Sequence, residues 1–507
     1  MKETRCFDVV VMGSGLGGLV TGLLLAKAGK KVCILEKNNQ YGGNLQTFVR
    51  DREIFDSGVH YIGSLGKDQN LGKYWQHLGV LDSIHFQRMD MDHFDIIRFQ
   101  DDPVAYPHAQ GPTNFIQQLS AIFPDERAVL EQYIAEIAYY CEQFPLYQLK
   151  AEVGYNAKIM ERSSWDVISS LTSNKKLQAV LLGNGFLYGL HRDAPFYMHA
   201  LIINSYMQSA WRCIKGGSQI TKAFTRQLRQ HGTKLYSHQH VTQLNFDGNR
   251  IASCETATHR YEADQFISNL SLSALFKLFN EEQRNKPYVK RVQGLKEGPS
   301  VFSTHLVLNP NAIPYFNHNI YHFESEEHVF SYPGNWTGFR PKSLLITCNP
   351  SEDKQSYTTN ISMLTYMDPE QVAQWKDTFN TVNHPGNRDE HYQQFKEHIA
   401  HEMISIAETY VPNLKNHIKS IHTSSPLSYR DYIGNKDGSM YGIEKLASNP
   451  MASMISPKTK VQNLVLTGQD IRLHGLLGVT ITGFLAAAEA LQDPQFLTNA
   501  FKEMNDD

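Results

Sequence analysis

Cysteine is scarce: there are six in 507 residues (Cys6, Cys33, Cys141, Cys213, Cys254 and Cys348), far apart and without a CxxC pair. They read as free thiols in a reducing compartment, and a chain of this length buries a core without disulfide or metal staples. An excess of basic charge is missing too. The 48 Lys and Arg face 51 Asp and Glu, a formal net charge of -3, which argues against a nucleic-acid partner. Apolar residues at 41% and charged residues at 20% are those of an ordinary soluble chain, which excludes a disordered or fibrous protein. There is no GxSxG nucleophile elbow, HExxH metal pair, repeat or low-complexity tract. Uncharged runs long enough for a membrane span are missing with one exception, Val9 to Ala26, which follows the basic start of the chain like a signal peptide. Its five glycines (Gly13, Gly15, Gly17, Gly18 and Gly22) spoil a signal core, no small-residue cleavage site follows, and Lys27, Lys30 and Lys31 lead into a second apolar run.

That run reads instead as a nucleotide-binding unit. Phe7 to Met12 is rich in β-branched residues and predicts a buried parallel strand. Gly13-Ser14-Gly15-Leu16-Gly17-Gly18 follows, then a helix over Leu19 to Ala28 closed by Gly29, then a strand over Lys31 to Leu35 with Glu36 at its tip. Glu36 lies 18 residues beyond Gly18, so the GxGxxG has its full strand–turn–helix–strand–acid context. Gly13 permits the tight turn, Gly15 lets backbone approach a pyrophosphate, and Gly18 lets helix and strand pack closely. Glu36 would accept ribose hydroxyls, which favours FAD or NAD over NADP. Gly42-Gly43, six residues after Glu36, suits the longer FAD better than a plain NAD domain, which would continue directly into another crossover.

Glu36, Gly42-Gly43 and Phe55-Asp56-Ser57-Gly58-Val59-His60-Tyr61-Ile62-Gly63 resemble the opening of the phytoene desaturase and carotenoid isomerase superfamily of flavoproteins, in its retinol saturase branch. Asn463-Leu464-Val465-Leu466-Thr467-Gly468-Gln469-Asp470, then Gly475 to Gly478 and an Ala-rich helix to Leu491, resemble its closing flavin motif. The likeness is specific at 7–63 and 463–491 and loose between. In one place the chain departs: Asn44 stands where many desaturases have Arg, leaving Arg50 or Arg52 to balance phosphate charge.

The resemblance implies an α/β fold, a Rossmann-like FAD-binding domain of the glutathione-reductase type with an inserted α+β substrate domain. The first would be discontinuous over 1–85, 211–275 and 455–507, the second over 86–210 and 276–454. The implied FAD-binding residues are Gly13, Ser14, Gly15, Gly17, Gly18, Glu36, Lys37, Gly42, Gly43, Asn44, Val241 (backbone to adenine), Gly468, Asp470 (a ribityl hydroxyl) and Gly478, near which a helix N-terminus faces the flavin. The implied substrate is a long apolar polyene of retinoid or carotenoid type. The reaction is either reduction of a C=C bond, or desaturation or cis–trans isomerisation on the same scaffold; a flavin-free lipid-carrier chaperone is the remote alternative. Reduction needs a proton as well as a hydride, and His60, Tyr61, Tyr432 and Tyr441 are the candidate catalytic residues. NAD(P)H as a transient electron donor and the oligomeric state stay open.

Between the motifs, helices are expected over Asn114–Ile122, Glu126–Gln143 and Ser173–Leu182, and strands over Thr233–Ser237, Val241–Phe246 and Ile251–Thr256 with a turn at Asp247-Gly248. Gly183 to Gly189 looks like a second nucleotide loop, but Arg192-Asp193-Ala194-Pro195 breaks the helix it needs. Residues 194–246 hold no acid and carry Arg212, Lys215, Lys222, Arg226, Arg229 and Lys234. This is either a solvated face or a contact with an anionic membrane or the flavin phosphates. The expected location is cytoplasmic with peripheral membrane contact. His398 and His401 beside Glu397 and Glu402, and His238 with His240, read as solvated residues and no metal is expected.

Overall fold

The strand Glu3–Met12 begins four residues before the expected Phe7, because it pairs in parallel with His259–Ser268 along its whole length, from Glu3 opposite His259 to Met12 opposite Ser268. The helix that follows, Leu16–Lys27, also starts earlier than expected, since the glycine loop itself supplies its N-cap at Gly15. The computed structural model describes residues 2–506 except 153–155, 335, 351–355, 383 and 387.

The first sheet draws its strands from distant parts of the chain, in the order Lys234–Tyr236, Val32–Leu35, Glu3–Met12, His259–Ser268, Arg250–Glu255, Gln243–Asp247, with Leu464–Leu466 also paired to His259–Ser268. The first four and Leu464–Leu466 run parallel. The last two of the path form a hairpin whose turn is Gly248-Asn249, one residue later than expected, because Asp247 pairs with Arg250 and Gly248 takes the positive φ of +56°. Val9, Val11, Ile34 and Ile267 on one face pack under the helices Leu16–Lys27, Ser218–Gln230 and Gly475–Leu491. Val10, Met12, Cys33 and Phe266 point the other way and pack with Leu272, Leu275 and Phe276.

The second seven-stranded sheet runs Ile418–Ser424, Ser300–Leu308, Asn360–Met367, Ser343–Thr347, Asn319–Phe323, Asp95–Phe99, Tyr106–His108, mostly antiparallel. Its central strands are buried on both faces. Val301, Leu345, Leu364 and Tyr366 face the helices of 112–208, while Phe302, Leu344, Met363 and Met367 face the helix Glu390–Ala407. That two-residue alternation fixes which side chains can reach a cavity on the first face. The three expected helices form over Pro112–Ile122, Arg127–Glu142 and Lys175–Leu182. Gly183–Leu187 is a buried 3₁₀ turn and no nucleotide loop. A small three-stranded sheet of Ile62–Gly63, Ala210–Cys213 and Phe86–Arg88 lies where the chain passes between the two large sheets. Among the described residues, no helix is long and apolar enough to cross a membrane and no cluster of three metal-ligating side chains occurs.

Candidate active site

A cavity of about 550 Å³ runs from the glycine loop to the second sheet. At its outer end Gly13, Gly15, Gly17, Glu36, Lys37 and Val241 line the wall. Gly13 has φ +95°, a conformation L side chains rarely adopt. A Cβ on Gly18 would stand 2.3 Å from the Gly13 carbonyl oxygen, so Gly18 serves helix–strand packing and lies outside the cavity wall. The Glu36 carboxylate is buried and oriented: Oε2 accepts from the Ser14 hydroxyl at 2.5 Å and Oε1 from the Asn38 N–H at 2.9 Å. A carboxylate has about four acceptor sites, and with Ser14 N–H at 3.2 Å as the third donor one remains for a ribose hydroxyl. Burial holds the Lys37 ammonium below its ordinary pKa, and Nζ donates to the Asp431 carbonyl at 3.3 Å.

In the middle, Gly42, Gly43, Asn44, Gly468 and Asp470 line the wall. Asn269, which sequence reasoning missed, is clamped there: Cβ atoms on Gly15 or Gly17 would lie 2.6 Å from its amide. Asp470 is buried, its Oδ2 accepts the Leu272 N–H at 2.8 Å, and burial raises its pKa. The helix Gly475–Leu491 begins three residues before Gly478. Gly478 sits against Leu473, outside this cavity, and Gly475 and Leu476 take the expected place at the helix end.

The inner end gathers His60, Tyr61, Phe186, Tyr206, Tyr366, Tyr441 and His474. The FDSGVHYIG segment is held by Asp56, whose Oδ1 accepts the Gly217 N–H at 2.6 Å. Burial pushes this carboxyl up to about 7. Burial and the nearby Arg212 guanidinium push His60 down to about 4, so its imidazole is neutral at physiological pH. The hydroxyls of Tyr441 and Tyr366 both donate to the Phe186 carbonyl, at 2.8 and 2.5 Å. His474 donates from Nε2 to the Leu187 carbonyl at 2.8 Å, and burial pushes it down to about 4. A lone histidine inside the closing glycine motif was the signal that could have found it.

Three expectations need correction. Tyr432 lines the same cavity but at the other end: its carbonyl accepts from Asn38 Nδ2 at 2.9 Å, beside Glu36, so it is not grouped with His60, Tyr61 and Tyr441. Arg50 and Arg52 are exposed on the hairpin 47–56 and do not line the cavity, whose wall takes its positive elements from backbone N–H groups, Lys37 and Arg430. Arg212 is buried at 1% exposure and cannot meet a membrane. Lys222, Arg226 and Arg229 do share an exposed helix face.

The site fits FAD on independent grounds. Asn44 Oδ1 and His60 Nε2 are buried without hydrogen-bond partners on residues that line the cavity. Two helix N-termini, at Gly15 and His474, open there with no side-chain cap and no acid in the first turn, which suits a diphosphate and a second anionic group.

Comparison with known proteins agrees. The chain is 27% identical to the all-trans-retinol 13,14-reductase of Macaca fascicularis, over 96% of this chain and 85% of the relative. It is 22% identical to the chloroplastic prolycopene isomerase 2 of an Oncidium hybrid cultivar, over 98% of this chain and 86% of that one. The crystal structure of an oxidoreductase from Methanosarcina mazei superimposes with a TM-score of 0.65 at 16% identity, over 96% of this chain and all of that one (100%). Residues 16–491 match the pattern of the flavin containing amine oxidoreductases. The chain therefore belongs to the flavin-containing amine oxidoreductase family and is an FAD-dependent oxidoreductase.

Proposed function

We propose that the protein reduces a C=C bond of a long apolar polyene of retinoid or carotenoid type. The observation that carries this reading is the inner wall of the cavity. Phe186, Leu187, Val301, Leu345, Leu364 and Met440 line it, and beside the unpartnered His60 Nε2 the polar side chains there are engaged: two tyrosine hydroxyls on one carbonyl, one histidine on another. A wall with few free polar groups suits a hydrocarbon chain. An adjoining cavity of about 90 Å³, walled by Leu71, Leu201, Ile202, Leu473 and Ile481, shares Leu187, Tyr206 and His474 with the first and extends the apolar path. The whole-length likeness to a retinol reductase and a carotenoid isomerase supports the same substrate class.

The flavin, when bound, supplies hydride transfer. Glu36, Ser14 and the two glycine segments would hold its dinucleotide part, and Asn44, Asp470 and the N-terminus of Gly475–Leu491 the remainder. His60, neutral, shapes the inner end and carries no charge into it. NAD(P)H is the proposed electron donor, a transient visitor to the site. We assign the flavin part to 1–85, 211–275 and 455–507 and the substrate part to 86–210 and 276–454. The two large sheets draw their strands from these ranges, and the small sheet joins them. Anaerobic incubation of the flavin-reduced enzyme with a polyene panel tests the function by product mass. A gain of two hydrogens is expected; loss of two means a desaturase, and unchanged mass with altered geometry an isomerase.

A further inference from the structure

Behind Tyr61 lies a buried carboxyl that the flavin site does not use. Asp95 is 0% exposed at the start of the strand Asp95–Phe99. Its Oδ2 meets the Tyr61 hydroxyl at 2.9 Å, and Tyr61 meets the Tyr321 hydroxyl at 2.6 Å. Its Oδ1 accepts from Asn319 Nδ2 at 2.8 Å, and Asn319 Oδ1 accepts from Arg212 Nη2 at 2.8 Å. An Arg only donates, so the Asn319 amide is fixed and the guanidinium faces Asp95 across one side chain. Tyr206 and His108, the residue paired opposite Asp95 across the strands, complete its titratable surroundings.

Asn184 is the informative neighbour. With Nδ2 toward Asp95 Oδ2 at 2.5 Å, Asn184 Oδ1 and His108 Nδ1 are both buried without partners. His108 Nε2 contacts the Val180 carbonyl at 3.0 Å, which can only accept, so Nδ1 is itself an acceptor. Turning the Asn184 amide over removes both vacancies: Nδ2 donates to His108 Nδ1, and Oδ1 faces Asp95. That arrangement requires a proton on Asp95. The two amide orientations thus match the two protonation states of the carboxyl, and burial pushes Asp95 up to about 7, where both are accessible.

We propose that Asp95 is the proton store of the site, a carboxyl that replaces the proton Tyr61 gives to a substrate carbon in the cavity. The inference rests on the C=C reduction proposed above. The Tyr61 O–H bond breaks and a C–H bond forms with the electron pair of the double bond, whose other carbon receives the hydride the cofactor supplies. The Asp95 O–H bond then breaks, Tyr61 O–H re-forms, and the carboxylate takes N–H donors from Asn184 and Asn319 opposite the Arg212 charge. Asp95 acts through Tyr61 and is a positioning residue.

Infrared difference titration of the purified FAD-loaded protein tests this, together with product mass and rate against pH. A protonated-carboxyl band that titrates near neutral pH is expected in wild type, and Asp95→Asn should remove one component of it, the remainder belonging to Asp56 and Glu297, which burial also raises to about 7. The variant should bind FAD, lose the alkaline limb of the pH profile and reduce substrate about 10²–10⁴-fold more slowly. Tyr61→Phe, which keeps the ring, should retain the band but shift it, so the test survives a misfolded Asp95→Asn. An unshifted band in Tyr61→Phe, or an unchanged pH profile in Asp95→Asn, overturns the proposal. Wild-type reduction with a neutral-pH carboxyl band that Asp95→Asn leaves unchanged overturns the store and leaves the reductase reading intact. The Asp95 component with unchanged product mass overturns the reductase reading, and with it the delivery of a stored proton to substrate.

Discussion

The Ser14 hydroxyl donates to Glu36 Oε2 at 2.5 Å while its oxygen accepts the Gly42 N–H at 3.1 Å. One side chain therefore joins the first glycine loop, the ribose acid and the second glycine pair. Glu36→Lys removes the acceptor and places a cation in its stead. Loss of a charged hydrogen bond costs about 1.5–3 kcal/mol, roughly tenfold to over a hundredfold in FAD affinity. Ser14→Ala should cost less, about 0.5–1.5 kcal/mol. Flavin retention during dialysis at low FAD measures both; retention equal to wild type in Glu36→Lys contradicts the assigned role.

Asp470→Ala should weaken FAD binding and also lower the melting temperature. Asp470 holds the buried Leu272 N–H, and leaving such a group unpaired costs about 1–3 kcal/mol. Scanning calorimetry of the apoprotein isolates the structural part. An apoprotein as stable as wild type would mean that the Leu272 contact contributes nothing.

Acid should destabilise the protein between the ordinary histidine pKa and about pH 4. His60, His108, His191, His199, His305, His318, His322 and His474 are all pushed down to about 3 or 4, chiefly by burial. Each is protonated in the unfolded chain before the folded one, so its stabilisation is present above the ordinary value and is lost as pH falls. Asp56, Asp95 and Glu297, raised to about 7, work the other way, because the folded chain holds their protons between about pH 4 and 7. The histidines are more numerous. His199→Gln should flatten the melting temperature against pH, and Asp56→Asn should steepen it. A melting temperature that rises on acidification through this window would contradict the assignment.

Lys222, Arg226 and Arg229 should give weak, salt-sensitive binding to anionic vesicles. A basic residue near such a surface contributes ~1 kcal/mol, so replacing all three by Glu should weaken flotation by over a hundredfold. Flotation that ignores both salt and these replacements would place the contact elsewhere.

The sequence alone determined the dinucleotide end of the site, because glycines, a strand and an acid at fixed spacing act locally. Gly13, Gly15 and Glu36 do their work within one strand–helix–strand unit, and Asp470 and Gly475 within another. The inner end was decided only by tertiary structure. The central strands of the second sheet are apolar on both faces, so nothing in the sequence shows that Val301, Leu345 and Leu364 face the cavity while Phe302 and Met363 do not. Tyr432 and Tyr441 are near neighbours in sequence yet stand at opposite ends of the site, because the first is drawn to Asn38 and the second to Phe186. Arg212 reads as one more surface cation and is instead buried against Asn319, since the strand Ala210–Cys213 carries it inward. Asp95 carries no motif at all; its meaning comes from residues 34 positions before it, 89 after and 224 after, which only the packed fold brings to its two oxygens.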